Sequence, residues 1–203
     1  MPRLAGQIDV AKNEAILNAA VEVLTSRGLQ ASMHEIARRA GVSKQTIYNH
    51  YGSKAELVRA IATRRVGELT APLDAPEATG HAEAALTAYA RGLLMAYHRP
   101  GGMGLLRLAV MSACEQPDIA QVVYEAGALA NRARLAEFIR REVAAGRLDE
   151  CDPEQAAECF AGMVSGQRQL GALLGRPSAD TEAGIDARAR EVAARFIRAY
   201  APR

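Results

Sequence analysis

Between Ser43 and Tyr51 the chain carries a dense run of side chains able to donate and accept hydrogen bonds: Lys44, Gln45, Thr46, Tyr48, Asn49 and His50. Only Ile47, joined by Tyr51, has the character of an inward-facing residue. A short helix with this pattern presents one polar face, and its side chains suit base edges and phosphates. Lys44 and Gln45, near the helix start, are the first candidates for base edges. A lysine donates to guanine O6 and N7, and a glutamine pairs with adenine N6 and N7. Thr46 and Asn49 are further candidates. Tyr48, His50 and Lys54 fit the phosphate backbone, because a phenol or an ammonium at the edge of such a unit meets the sugar-phosphate chain first. The helix opening at Ser53 and Lys54 also points free amides at an anion. Ser32 and His34 begin the preceding helix, within reach of a flanking strand. The competing reading is plainer: a short helix with Lys, Gln and Asn is often only a solvated face.

The elements around this run favour the first reading. Ala37, Gly41 and Ile47 supply a small residue for a helix crossing, a glycine for a tight turn and a branched apolar residue that locks a second helix down. These are the requirements of a helix-turn-helix, whose second helix enters the major groove. Ser32 with Glu35 is a capping box, and Ser53 with Glu56 is another; Ser43 can cap the helix between them. Upstream, a helix over 9–27 places Ile16, Leu17, Ala20, Val21 and Leu24 on one face, with Gly28 as its C-terminal cap.

Charge supports an anionic partner for this part alone. Formal charge over all 203 residues is +2. Residues 1–66 hold 10 Lys and Arg against 5 Asp and Glu, or +5, and the remainder is −3. All three lysines (Lys12, Lys44, Lys54) lie in the basic part.

Other chemistry is poorly supplied. The four histidines (His34, His50, His81, His98) are scattered, and no nucleophile-base, metal-ligand or glycine-rich phosphate pattern occurs. No catalytic residue, metal ligand or cofactor is therefore expected. Cys114, Cys151 and Cys159 read as buried structural thiols in a reducing, cytoplasmic setting. Uncharged stretches stop at about nine residues, against the ~20 needed to span a bilayer, and the first ten residues read as a frayed start with no signal-peptide core.

The chain is rich in Ala, Leu, Arg and Glu, has no Trp, and lacks period-two alternation, so an all-α fold is expected. Pro72 and Pro76 mark a linker at 70–78. Beyond it the periodicity predicts helices over 79–98, 103–115, 117–145, 153–174 and 181–200. The resulting organisation is a helix-turn-helix domain over 1–56 and a larger helical domain over 57–203.

Residues 36–57, IARRAGVSKQTIYNHYGSKAEL, resemble the DNA-binding domain of the TetR family of bacterial transcriptional regulators. The resemblance covers about residues 10–60. More weakly, residues 105–174, around Tyr124-Glu125-Ala126-Gly127 and Asp152-Pro153-Glu154, resemble the C-terminal domain of the AefR-like subgroup. The resemblance implies an all-α homodimer that binds a palindromic double-stranded operator and releases it when a small-molecule effector enters the second domain. Departures from the pattern are Tyr51 where Phe is usual, Ala31 where Thr is frequent, and His34 at a position often charged.

Two expectations concern the second domain. From Cys159 to Gly175 the only charge is Arg168, so this helix belongs in a core or an interface. A dimer interface of Phe160, Gly162, Met163, Gly166 and Leu170, completed by Ile185, Val192 and Phe196 of the last helix, would make a four-helix bundle with two-fold symmetry. Two recognition helices would then sit roughly 34–36 Å apart. Candidate effector contacts are Met95, Tyr97, Met103, Met111, Tyr124, Phe138 and Met163, a Met-aromatic set suited to an irregular apolar ligand, or else plain core. Residues 100–104 could gate the site or merely connect helices. A helix-turn-helix regulator without a small-molecule ligand is the alternative to the ligand-responsive repressor.

Overall fold

In a computed structural model, residues 10–99, 101–176 and 179–202 are described. Of the first ten residues, expected to fray, 1–9 lie outside them, as does Pro100 of the expected gate or connector, while Val10 already begins a helix. Among the described residues the regular structure is helical throughout, without strands. The order is α1 (Val10–Arg27), α2 (Met33–Arg39), α3 (Lys44–Tyr51), α4 (Lys54–Asp74), α5 (Ala82–His98), α6 (Gly104–Ser112), α7 (Pro117–Val123), α8 (Ala130–Ala144), α9 (Pro153–Leu173) and α10 (Glu182–Ala199).

The helices pack as two units, and their division differs from a single cut at residue 56. The first unit holds residues 10–64 together with 104–127; the second holds 65–103 with 128–202. In the first, Ile16, Leu17, Ala20 and Leu24 of α1 share a core with Ile36, Ile47, Leu57, Val58 and Ile61, and Leu108, Ile119, Val122 and Val123 of α6 and α7 join the same core. The reason is compositional: α1 to α4 alone leave apolar surface that α6 and α7 cover. Gly104, the first residue of α6, lies so close to α1 that a Cβ would come within 2.7 Å of the Thr25 hydroxyl oxygen.

In the second unit α5 packs on α10 and α9, and α8 packs on α9. Aromatic rings run through this core, from Tyr89 to Phe160 at 6.1 Å, on to Phe196 at 5.1 Å and Tyr200 at 4.5 Å between centroids. Buried Glu142 accepts two bonds from Arg147, at 2.7 and 2.8 Å, which pins the turn after α8.

Three element boundaries depart from the expectations. The 70–78 linker is largely helix, because α4 continues to Asp74 through Pro72 and buries Thr70 and Leu73; only the turn Pro76–Ala78 remains. The helix over 117–145 is divided by a π-helical turn, Tyr124–Leu129. Within α9, Gly166 takes φ 47° and ψ −139°, which breaks the helix. The break leaves the Met163 carbonyl to accept from an Arg188 Nη2 at 3.0 Å.

Candidate nucleic-acid interface

The local geometry of α2 to α4 follows from its capping chemistry. Ser32 Oγ accepts from the Glu35 amide at 3.1 Å, and the Glu35 carboxylate accepts from the Ser32 amide at 3.1 Å, so the first capping box is closed. Ala31 beside it is buried, and Ser32 does the capping. Ser43 Oγ accepts from the Thr46 amide at 3.0 Å and pairs with the Thr46 hydroxyl at 2.8 Å. Ser53 Oγ accepts from the Glu56 amide at 3.1 Å and opens α4. Gly41 and Gly52, at φ 68° each, make the turns on either side of α3, a conformation that other residues rarely adopt.

With both ends held, α3 buries only Ile47 and Tyr51. Lys44, Gln45, Tyr48, Asn49 and His50 are exposed on its outer surface. They are arranged in pairs one turn apart: the Lys44 ammonium stands 5.7 Å from the Tyr48 ring centroid, and the Gln45 amide donates to Asn49. Ser32, His34 and Ser43 are exposed, while Thr46 and Lys54 are half-buried. Burial pushes the Lys54 ammonium below its ordinary value, since desolvation penalises the charged form. The hydroxyls of Ser32 and Ser43 accept the cap bonds, and that of Thr46 pairs with Ser43.

Charge is distributed unevenly among the surrounding cations. Arg27, Arg39 and Arg64 pair with Glu35, Glu22 and Glu14 at 3.0, 2.8 and 2.8 Å. Lys44 and Arg38 are exposed and take part in no ion pair among the described residues.

One residue that the sequence reading missed is Asn13. Its side-chain oxygen accepts from the Tyr51 hydroxyl, tying the end of α3 to α1 across an open cleft of about 550 Å³ that His50, Arg59 and Arg64 also line. The departure from Phe to Tyr at position 51 was the signal that a polar partner was needed.

The second-domain candidates are brought together only in part. Met95, Tyr97, Met103 and Phe138 are buried in the second unit, and Met163 is partly exposed there. Met111 and Tyr124 lie in the first unit, 66% and 55% exposed, and so do not share that core. Of the candidate interface residues, Phe160, Ile185, Val192 and Phe196 are spent inside the unit's own core, because their rings and branches fill the space between α5, α9 and α10. Gly162, Met163, Gly166 and Leu170 remain on the surface, as does Leu174. The cysteines are not the buried thiols expected: Cys114 and Cys159 are exposed and Cys151 is half-buried.

A three-helix unit with a capped, outward-polar second helix defines a helix-turn-helix DNA-binding protein. The family model of bacterial regulatory proteins of the tetR family matches residues 16–61, and that of the AefR-like transcriptional repressor C-terminal domain matches residues 84–202. This chain belongs to the TetR family of transcriptional regulators, with a C-terminal domain of the AefR-like kind. It is similar to the HTH-type transcriptional activator FasR of Mycolicibacterium smegmatis, 51% identical over 55 residues that cover 27% of this chain and 25% of that protein. A regulator of Bacillus subtilis, YvdT, is 44% identical over 52 residues, which cover 25% of this chain and 27% of that protein. The chain thus spans about a quarter of the length of these curated relatives. Among solved structures, the flavonoid-responsive regulator FrrA is 30% identical with TM-score 0.70, over 95% of this chain and 98% of that one. A TetR-family regulator from Mesorhizobium loti has TM-score 0.75 at 24% identity, over 96% of this chain and all of that one, a likeness of fold. No helix among the described residues is long and apolar enough to cross a membrane.

Proposed function

We propose that this regulator is a cytoplasmic repressor that binds a palindromic operator as a homodimer and releases it when a small molecule enters its second unit. The observation that carries the DNA reading is the outer face of α3, where Lys44, Gln45, Tyr48, Asn49 and His50 all stand exposed on a helix anchored by Ile47. Lys44 and Gln45 read base edges; Tyr48, His50 and Lys54 hold phosphate.

The homodimer is supported by the exposed apolar side chains Met163, Leu170 and Leu174 on and just beyond α9, since a free monomer gains nothing from keeping such residues in water. The small-molecule effector is supported by the name of FrrA, which resembles this chain along nearly its whole length. Repression is supported by the AefR-like match over residues 84–202. FasR, named an activator, matches only a short segment, and so bears on DNA binding more than on the sign of regulation. Regulation of this kind is a population shift: the effector weakens operator binding only by its differential affinity for the two dimer geometries. No step of this reading calls for catalysis.

The test is operator release. Fluorescence anisotropy of a labelled operator, selected from random duplexes by the protein itself, is followed during titration with a library of apolar and phenolic compounds. Release by at least one class is expected. Operator binding unaffected by every class would leave a helix-turn-helix regulator without a small-molecule ligand.

A further inference from the structure

The core of the second unit contains two tyrosine hydroxyls with different fates. Tyr97 of α5 pairs with Ser165 of α9, oxygen to oxygen, at 2.8 Å. Each hydroxyl has found a partner, and Tyr97 is buried. Tyr89, two turns earlier on α5, has no exposure at all. Its oxygen accepts from Asn131 Nδ2 at 2.7 Å. The Asn131 Oδ1 is buried as well and has no hydrogen-bond partner.

The Tyr89–Asn131 pair therefore holds unspent hydrogen-bonding capacity on both sides. A primary amide has donors at nitrogen and an acceptor at oxygen, and a phenol has one donor and an acceptor. In the arrangement seen, Oδ1 still lacks a donor and the Tyr89 proton still lacks an acceptor. Turning the amide over changes which atoms are left: Tyr89 then donates to Oδ1, while Nδ2 lacks an acceptor and the phenolic oxygen lacks a donor. In either orientation one donor and one acceptor lie together in a buried place, which is costly unless a third group completes them.

We propose that Tyr89 and Asn131 form the polar head of the effector site, and that the effector is a neutral molecule with a hydroxyl on an apolar body. The inference rests on the effector reading above and narrows its chemistry. A hydroxyl is the compact group that both donates and accepts, so it satisfies the pair whichever way the amide is turned. A carboxylate or an ether only accepts, and leaves one buried acceptor unmet. A charged group would also enter a place where no cation is bonded to either residue, at the cost of its hydration. An apolar body suits the neighbouring side chains, of which the buried Phe160 ring packs 6.1 Å from that of Tyr89 and would have to shift to admit it. Asn131 is the second residue of α8 and follows directly on the π-helical turn Tyr124–Leu129, a distortion that recurs at functional sites.

The probes are a graded series of aryl alcohols, β-naphthol among them, each with its methyl ether, binding to the full chain by calorimetry and by operator release. Each pair differs only in the hydroxyl proton and one methyl group. In the wild-type chain each alcohol that binds is expected to bind about tenfold or more tightly than its ether. Asn131→Leu should bring that ratio close to one. Tyr89→Phe, which keeps the packing and removes only the hydroxyl, should lower it; circular dichroism reports whether each variant folds. Equal binding of alcohols and ethers to wild type, or a wild-type ratio that survives in both folded variants, overturns the assignment while leaving the effector reading intact. Failure of every alcohol, every ether and the wider apolar library to bind overturns both.

Discussion

At the scale of single residues, three side chains separate contact from support. Lys54 is half-buried at the opening of α4, and its ammonium already bears a desolvation cost. Placed against a phosphate, it contributes to every sequence alike. Lys54→Ala is therefore expected to weaken operator and random duplex equally, and to lower the slope of log affinity against log salt by about one. Gln45→Ala has a different signature: specificity relaxes at one position of each half-site while binding to random duplex is kept. Binding-site selection on the variant tests this. Tyr51 contributes support, because its hydroxyl donates to Asn13 of α1 and holds the end of α3. Tyr51→Phe should lower thermal stability by about 0.5–1.5 kcal/mol, the worth of an ordinary hydrogen bond, and Asn13→Ala in the same background should add little.

At the scale of elements, the stability of α2 carries a pH dependence whose sign is fixed by the Glu35 carboxyl. The bond from the Ser32 backbone amide, aided by Arg27, holds this group below its ordinary value of 4.5. A carboxyl lowered on folding stabilises the native state above the unfolded-state value and loses that contribution as pH falls through its folded-state value. Glu35→Gln should remove this part of the acid sensitivity, seen as a flatter dependence of melting temperature on pH below about 4.5. The break in α9 offers a second test. Gly166 occupies a region of backbone space that is nearly closed to other residues, and Gly166→Ala is expected to cost about 1–3 kcal/mol. An added Cβ meets no atom within 4 Å, so the loss would come from the backbone and not from a clash.

At the scale of the whole molecule, the distribution of charge and of apolar surface points to assembly. Leu170 and Leu174 are 57% and 72% exposed, whereas the phenyl rings of the same stretch of helices are buried. If the homodimer reading holds, Leu170→Glu should shift the protein to monomer in light scattering. It should also reduce operator affinity by far more than half, since two half-sites are then engaged independently. A variant that stays dimeric would move the interface elsewhere. Dimerisation would double the +5 of residues 1–66 on the DNA-binding side of the assembly, which makes the near-neutral total a poor guide to nucleic-acid affinity.

Much of the candidate nucleic-acid interface was legible in the sequence because it is local. Caps, glycine turns and the single inward Ile47 act over three or four residues, and each reads directly from residue type and spacing. The same holds for the all-helical class, which follows from composition and period. Other features depend on contacts between distant residues, and those only the tertiary structure decided. Periodicity shows that Phe160, Ile185, Val192 and Phe196 are buried, but not whether a partner or the chain itself buries them; the packing of α9 against α5 and α10 decides for the chain. Nor does any local pattern assign α6 and α7 to the core of Ile36 and Ile47, because that depends on which apolar faces α1 to α4 leave uncovered. Cys114 and Cys159 were expected inside because cysteine is usually buried, yet Cys159 falls on the outer face of α9 and Cys114 in the turn after α6, placements that residue type alone does not identify. The unmet Asn131 oxygen is the clearest case: an asparagine in a sequence is merely polar, and only its neighbours in space make it unsatisfied.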